Sequence, residues 1–263
     1  MNNFIKFTIF GERCSGTNYL EHVMTTNFDI KYSTDICKKH FFCFNNYNNI
    51  DTSQTLFIGI VRNPIYWLNS FSKELYHVPE INRQSLKSFL FNEWYSVLDE
   101  QSDKPTNHFN ENAILTYKRN ITNTNPLINK KDLNYKNGRK CKNIFELREI
   151  KNKYLMENMP QMFPNNYILI NYENLLYNFE ETMQEIKQRF NLRPHYSQFV
   201  NVKKYKKSDN YSFVTQRTIT FNPQTVDLIW NNLCTEQENL LGYFKNDNNG
   251  HFKKQSITFP NVR

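Results

Sequence analysis

Glycine is scarce in this chain, with six residues among 263. Glycine lets the chain make left-handed turns and close backbone approaches at little steric cost. Two of the six fall within one seven-residue window, Gly11-Glu12-Arg13-Cys14-Ser15-Gly16-Thr17. Long apolar runs are absent, and none approaches the roughly 20 residues of a membrane span. The segment Phe4–Phe10 is short and interrupted by Lys6, which does not make the apolar stretch of a signal peptide. A cytoplasmic protein without a membrane span is the expectation. Cysteine is limited to Cys14, Cys37, Cys43, Cys141 and Cys234, an odd number with no CxxC spacing. That argues against a disulfide framework and for a reduced setting. Acidic residues are outnumbered 25 to 33 by basic ones, giving a net charge of +8. Such a balance favours anionic partners, although a basic protein without a special partner has the same signature.

What is present suits a substantial core. Hydrophobic residues make up 39% of the chain, with 22 Phe and 16 Tyr, despite a mean hydropathy of -0.73. Residues 4–10 read as a buried strand, Thr17 to about Thr26 as a helix, and 29–44 as one or two strands. Thr55–Val61 and Tyr167–Asn171 read as core strands. Arg62-Asn63-Pro64 turns into a helix, with Pro64 suited to its first position. Leu86, Phe89, Leu90, Trp94, Val97 and Leu98 form an apolar stripe that predicts a helix over 84–99. Further helices are expected at 144–158, 179–190 and 223–241. Strands alternating with helices predict an α/β fold, a central parallel sheet with helices on both faces. Residues 1–263 read as a single domain with a long polar insertion, or lid, at about 72–143 and a C-terminal tail at about 244–263.

The order strand, GxxxxG, helix is what a phosphate cradle needs. Amides at a helix N-terminus point at the anion, and glycine lets the backbone approach it. A Walker A loop would continue with Lys after its second Gly, and here Thr17 follows Gly16. That weakens a kinase or NTPase reading without removing it. A second anion-binding feature follows. Arg62 stands at a strand end, and Ser70 lies eight residues later, just over two helical turns, so it can return to a face near that strand end. An Arg fork with a hydroxyl makes a phosphate clamp.

Taken in order, these segments resemble the sulfotransferase family that uses 3′-phosphoadenosine 5′-phosphosulfate (PAPS) as donor. Cys14-Ser15-Gly16-Thr17-Asn18-Tyr19 is similar to its Lys-Ser-Gly-Thr-Thr-Trp loop. Arg62 and Ser70 match its Arg/Ser spacing, and Asn171-Tyr172-Glu173-Asn174-Leu175 resembles its strand–Tyr-Glu-Asp-Leu–helix segment. Leu240-Leu241-Gly242-Tyr243 looks like the end of its last helix. The run Gly11-Glu12-Arg13 with Ser15 to Leu20 resembles a microbial and viral branch. The likeness is weak over 72–143 and 195–225.

The resemblance implies a P-loop-like sulfotransferase fold. It places Arg13, Cys14, Ser15, Gly16, Thr17 and Asn18 around the 5′-phosphosulfate, Arg62 and Ser70 on the 3′-phosphate, and Tyr19 and Tyr172 beside adenine. Plain core packing is the alternative for both tyrosines. The product would be 3′-phosphoadenosine 5′-phosphate (PAP), no metal is implied, and the acceptor could be a glycan, peptide or small molecule. Where the family loop has Lys, this chain has Cys14, and Lys38 or Lys39 are the candidates to replace it. Lys38-Lys39-His40 occupies the interval of the family's Lys-Thr-His. His40 is accordingly expected as catalytic base, with Lys38, and Arg13 from the loop, stabilising charge. Glu12 is the alternative base.

Cys37, His40 and Cys43 make a poor metal site, with three ligands on one short segment. Arg148 and Lys151 read as a solvated helix face, and Lys203-Lys204-Tyr205-Lys206-Lys207 as a solvated loop, with nucleic-acid contact a minor alternative. Two other functions stay open: a P-loop nucleotide kinase or NTPase, and a non-catalytic PAP-binding protein of the same fold.

Overall fold

A computed structural model describes residues 4–36, 38–43, 47, 50–75, 77–97, 128–202 and 218–245. Four strands, β1 (Lys6–Phe10), β2 (Lys31–Tyr32), β3 (Thr55–Val61) and β4 (Tyr167–Asn171), form one all-parallel sheet in the order β2-β1-β3-β4. Around it lie α1 (Thr17–Asn27), α2 (Pro64–Phe71), α3 (Glu80–Arg83), α4 (Leu86–Phe91), α5 (Ile144–Lys153), α6 (Met159–Met162), α7 (Tyr172–Tyr177), α8 (Phe179–Phe190), α9 (Pro223–Asn232) and α10 (Thr235–Leu240). A π-turn over Tyr154–Asn158 joins α5 to α6. Among the described residues no helix is long and apolar enough to cross a membrane.

The alternation of side chains along each strand divides the core in two. Phe7, Ile9, Leu56, Ile58, Ile60, Ile168 and Ile170 join α1, α7 and α8 in one apolar cluster. Phe10, Phe57, Val61, Tyr167 and Leu169 join α2, α4, α5 and α9 in the other. The sheet is therefore covered on both faces, as its uninterrupted apolar strands predict. Every residue of β3 and β4 is buried.

The expected helix over 84–99 is shorter than the apolar stripe suggests. It stops at Phe91, and Trp94 and Val97 instead form isolated antiparallel bridges with Cys141 and Ile128. Trp94 exchanges backbone hydrogen bonds with Cys141 at 2.8 and 2.9 Å, while its ring packs edge-on against Phe71 and Phe89. A long-range pairing thus satisfies the same apolar residues in an extended chain. The predicted last helix is two, α9 and α10, broken where Leu233 adopts an extended conformation. The described ends of the 72–143 insertion enter the core, through Trp94, Asp132 and Cys141. Residues 98–127 and the tail beyond 245 lie outside the described residues.

The ring of Phe57 stacks 4.0 Å from Phe163 and 5.8 Å from Phe10 by ring centroids. Phe57→Ala is expected to destabilise the protein by about 3–5 kcal/mol in urea unfolding, the usual range for an aromatic removed from a packed core. A loss below about 1 kcal/mol would show that this face tolerates a cavity.

Candidate functional site

In a parallel sheet of this order the strand order switches between β1 and β3, because the chain goes from β1 out to β2 and then back past β1 to β3. Ligand crevices form beyond the carboxyl ends of strands at such a switch point. Gly11 follows β1 there, and Arg62 follows β3. A Cβ on Gly11 would lie 2.6 Å from Ile60 Cγ2 and 2.8 Å from the Ile60 carbonyl oxygen, so only glycine lets the loop leave the sheet at this point. Cys14 (φ 63°) and Gly16 (φ 96°) are both left-handed, and they curl the chain into the start of α1. Ser15 fixes that curl by donating from N and Oγ to the Glu12 carbonyl, at 3.1 and 2.6 Å. No side chain caps α1 among the described residues. Its first amides face away from intrahelical acceptors, as in any helix start, and offer an anion site.

Arg62 and Ser70 meet as their spacing predicts. Arg62 Nη1 donates to Ser70 Oγ at 3.1 Å and to the Cys14 carbonyl at 2.9 Å, which ties the end of β3 to the loop. Its guanidinium carbon sits 4.8 Å from the centre of the Tyr172 ring. Tyr172 lies against Gly16 so closely that any Cβ there would collide with the ring. Tyr19 packs edge-on to Tyr172 with centroids 6.0 Å apart, and its hydroxyl donates to Asn201 at 2.8 Å. Both tyrosines are buried. The two late motifs also converge. Glu173 accepts from the Asn63 amide at 3.0 Å and from the Tyr243 hydroxyl at 2.9 Å, and Asn171 donates to the Leu241 carbonyl at 2.8 Å.

Arg13, expected beside a ligand, is directed elsewhere. Its Nε donates to Glu12 at 2.9 Å and its Nη2 to Asp132 at 2.8 Å, while its guanidinium lies 4.7 Å from the Phe71 ring centre. Lys151 reaches both carboxylates, Glu12 and Asp132, and donates to the His40 carbonyl at 2.9 Å. Ser96 donates to Asp132 as well. This buried quartet has two positive and two negative members, which balances its formal charge. Burial alone would raise the Glu12 carboxyl, but Lys151 and then Arg13 hold it well below the usual carboxylate range. Glu12 is therefore a poor proton acceptor. Arg148 and Lys151 do not form the solvated face expected of α5. Arg148 is buried, with two hydrogen bonds to Glu238 at 2.5 and 2.7 Å and one to the Arg62 carbonyl at 3.0 Å. Nothing in the neighbouring turns of the helix pairs these charges: Glu238 lies 90 residues from Arg148, and Glu12 lies 139 residues from Lys151.

His40 reaches the loop. Its Nδ1 donates to the Gly11 carbonyl at 2.8 Å, so the neutral ring carries its lone pair on Nε2. Burial, only partly offset by the Gly11 carbonyl and Glu12, pushes the imidazole down to about 3. Lys38 is half-buried in the turn that closes with Phe41 N–H donating to the Lys38 carbonyl at 3.0 Å. Lys39 extends to Asn18 and Glu21 on α1. Burial pushes the Cys14 thiol up to about 12, so it stays protonated. Asn18 and Thr17 occupy the first turn of α1. Cys37 and Lys203–Lys207 lie outside the described residues. No protein-family model, curated protein or solved structure matches the chain.

Lys151→Met should leave the Glu12 and Asp132 carboxylates short of one cation. The expected cost is about 3–5 kcal/mol in chemical unfolding, as for a buried ion pair broken on one side. An unchanged midpoint would mean that water reaches the quartet. The folded pKa of His40 lies below its unfolded value of 6.5. Its stabilising contribution is full above pH 6.5 and is lost as pH falls toward about 3, because the unfolded chain takes up the proton first. His40→Asn should flatten that part of the stability–pH curve, and an identical curve would contradict the burial of the ring.

Proposed function

We propose that this protein is a sulfotransferase that binds PAPS at the carboxyl ends of β1 and β3 and passes its sulfuryl group to a hydroxyl or amine acceptor. The observation that carries this reading is the Arg62–Ser70 clamp, bonded through Arg62 to the left-handed loop at the N-terminus of α1. A nucleotide with phosphates at two positions suits a site with two anion-binding elements. The uncapped start of α1 and the Arg62 Nε, which is buried without an acceptor among the described residues, fit such a ligand. Gly16, Thr17 and Asn18 would hold the 5′-phosphosulfate, Arg62 and Ser70 the 3′-phosphate, and the Tyr19–Tyr172 pair the adenine side.

In the transfer, the acceptor oxygen or nitrogen forms a bond to sulfur while the bond from sulfur to the 5′-phosphate oxygen breaks. PAP leaves with that electron pair, and the acceptor's proton passes to Nε2 of His40 and on to solvent. The Gly11 carbonyl fixes the tautomer this requires. With its imidazole held down to about 3, His40 is a weaker base than a histidine near neutrality, so it takes the acceptor's proton only as the bond to sulfur forms and passes it on to solvent. Arg13 serves here by holding the loop in shape, since its charge is balanced within the quartet.

A second reading, a protein that binds PAP without transferring sulfate, is favoured by Cys14 at the position of the family's loop lysine. The kinase reading has less support, because β3 ends in Val61, followed by Arg62, and β4 ends in Asn171, rather than either ending in a carboxylate for Mg²⁺. Calorimetry with PAP is expected to show binding, weakened about tenfold or more in Arg62→Ala, as for the loss of a charge-assisted hydrogen bond. Absent binding, or equal binding by the variant, would overturn the assignment. Binding without transfer of label from PAPS to an acceptor panel would select the second reading.

A further inference from the structure

The family's phosphate loop carries its own lysine, and this chain has Cys14 there. Four of the cations around the loop are committed to partners within the fold. Arg13 and Lys151 are buried and matched against Glu12 and Asp132. Arg148 is matched by Glu238. Arg62 is committed to the Cys14 carbonyl and Ser70, on the side of the loop nearest β3.

Lys39 differs from all of these. Its backbone carbonyl accepts from the Gly11 amide at 2.9 Å, which anchors it where the loop begins. Its ammonium crosses to Asn18 in the first turn of α1, which is where the loop ends. The residue thus straddles the loop. Its carboxylate partner is Glu21 at 3.1 Å, in a pair whose side chains are 20% and 27% exposed. The pair is only partly buried, unlike the quartet, so solvent reaches it and a more highly charged anion can displace Glu21. The polarity of α1 adds to the attraction, since the helix start carries partial positive charge. Arg62 is a separate pointer to an anion at this loop. It is 8% exposed, and its Nε has no acceptor among the described residues.

We infer that Lys39 is the cation that replaces the missing loop lysine and neutralises the 5′-phosphate of the nucleotide, both in the bound donor and as that phosphate becomes the leaving group. The assignment rests on the PAPS reading of the site. On binding, the ammonium leaves Glu21 and donates to a 5′-phosphate oxygen, with Asn18 keeping it aimed at the helix start. Lys39 thereby takes the loop-lysine role, and Arg62 keeps the 3′-phosphate.

The test separates the two phosphates. PAP carries both, whereas adenosine 3′-monophosphate lacks the one at the 5′ position. Lys39→Met should weaken PAP binding by about ten- to a hundredfold, the loss of one charge-assisted hydrogen bond, and leave binding of adenosine 3′-monophosphate unchanged. Lys39→Arg should restore most of the PAP affinity. Arg62→Ala should weaken both ligands. Unchanged PAP binding by Lys39→Met, or an equal loss for the two ligands, would overturn the role of Lys39 while leaving the PAPS reading intact. Failure of the unaltered protein to bind either ligand would remove the PAPS reading itself, and the Lys39 assignment with it.

Discussion

The buried exchange of charge among Glu12, Arg13, Asp132 and Lys151 holds three distant parts of the chain at one point. Glu12 and Arg13 belong to the loop after β1, Asp132 closes the described end of the insertion, and Lys151 comes from the middle of α5. Each ion would be costly to bury alone, and each is tolerable because two opposite charges meet it. The same network extends to the backbone of the 38–40 turn, because Lys151 also donates to the His40 carbonyl. The loop and the His40 ring therefore share one rigid support.

A second set of contacts fixes the other side of the loop. Tyr172, directly after β4, packs on Gly16 and beneath the Arg62 guanidinium. Glu173, the next residue, joins the amide that precedes α2 to the hydroxyl of Tyr243. Burial raises the Glu173 carboxyl, against the pull of the Asn63 amide and Arg62. The end of the chain's described part is thus used to steady the strand end that carries Arg62. Two such supports leave the loop and the end of β3 little freedom to rearrange.

Much of this fold could be read along the chain. β3 and β4 follow from unbroken apolar runs, α8 from its single apolar stripe, and the loop from two glycines in a protein that has few. The Arg62–Ser70 contact follows from helical spacing. The stripe at Leu86–Val97 misled, because apolar periodicity records which residues are buried and not whether the backbone bonds locally. Trp94 is buried by pairing with Cys141 instead. The charges on α5 misled for a related reason. Arg148 and Lys151 at a spacing of three look like a wetted face until Glu238 and Asp132 are brought to them.

The sequence by itself determined the core strands β1, β3 and β4, through their apolar runs, and the strand–loop–helix order and the Arg/Ser pair, which rest on local spacing, whereas the expectation of one or two strands over 29–44 shrank to the two residues of β2. It also raised the question of Cys14, by placing a neutral thiol where a lysine was expected. The tertiary structure decided how the charges are shared out, because that depends on which side chains meet across the sheet and not on their order. It assigned Arg13 to the interior, Arg62 to Ser70 and the Cys14 carbonyl, and Lys39 to Asn18 and Glu21 on α1.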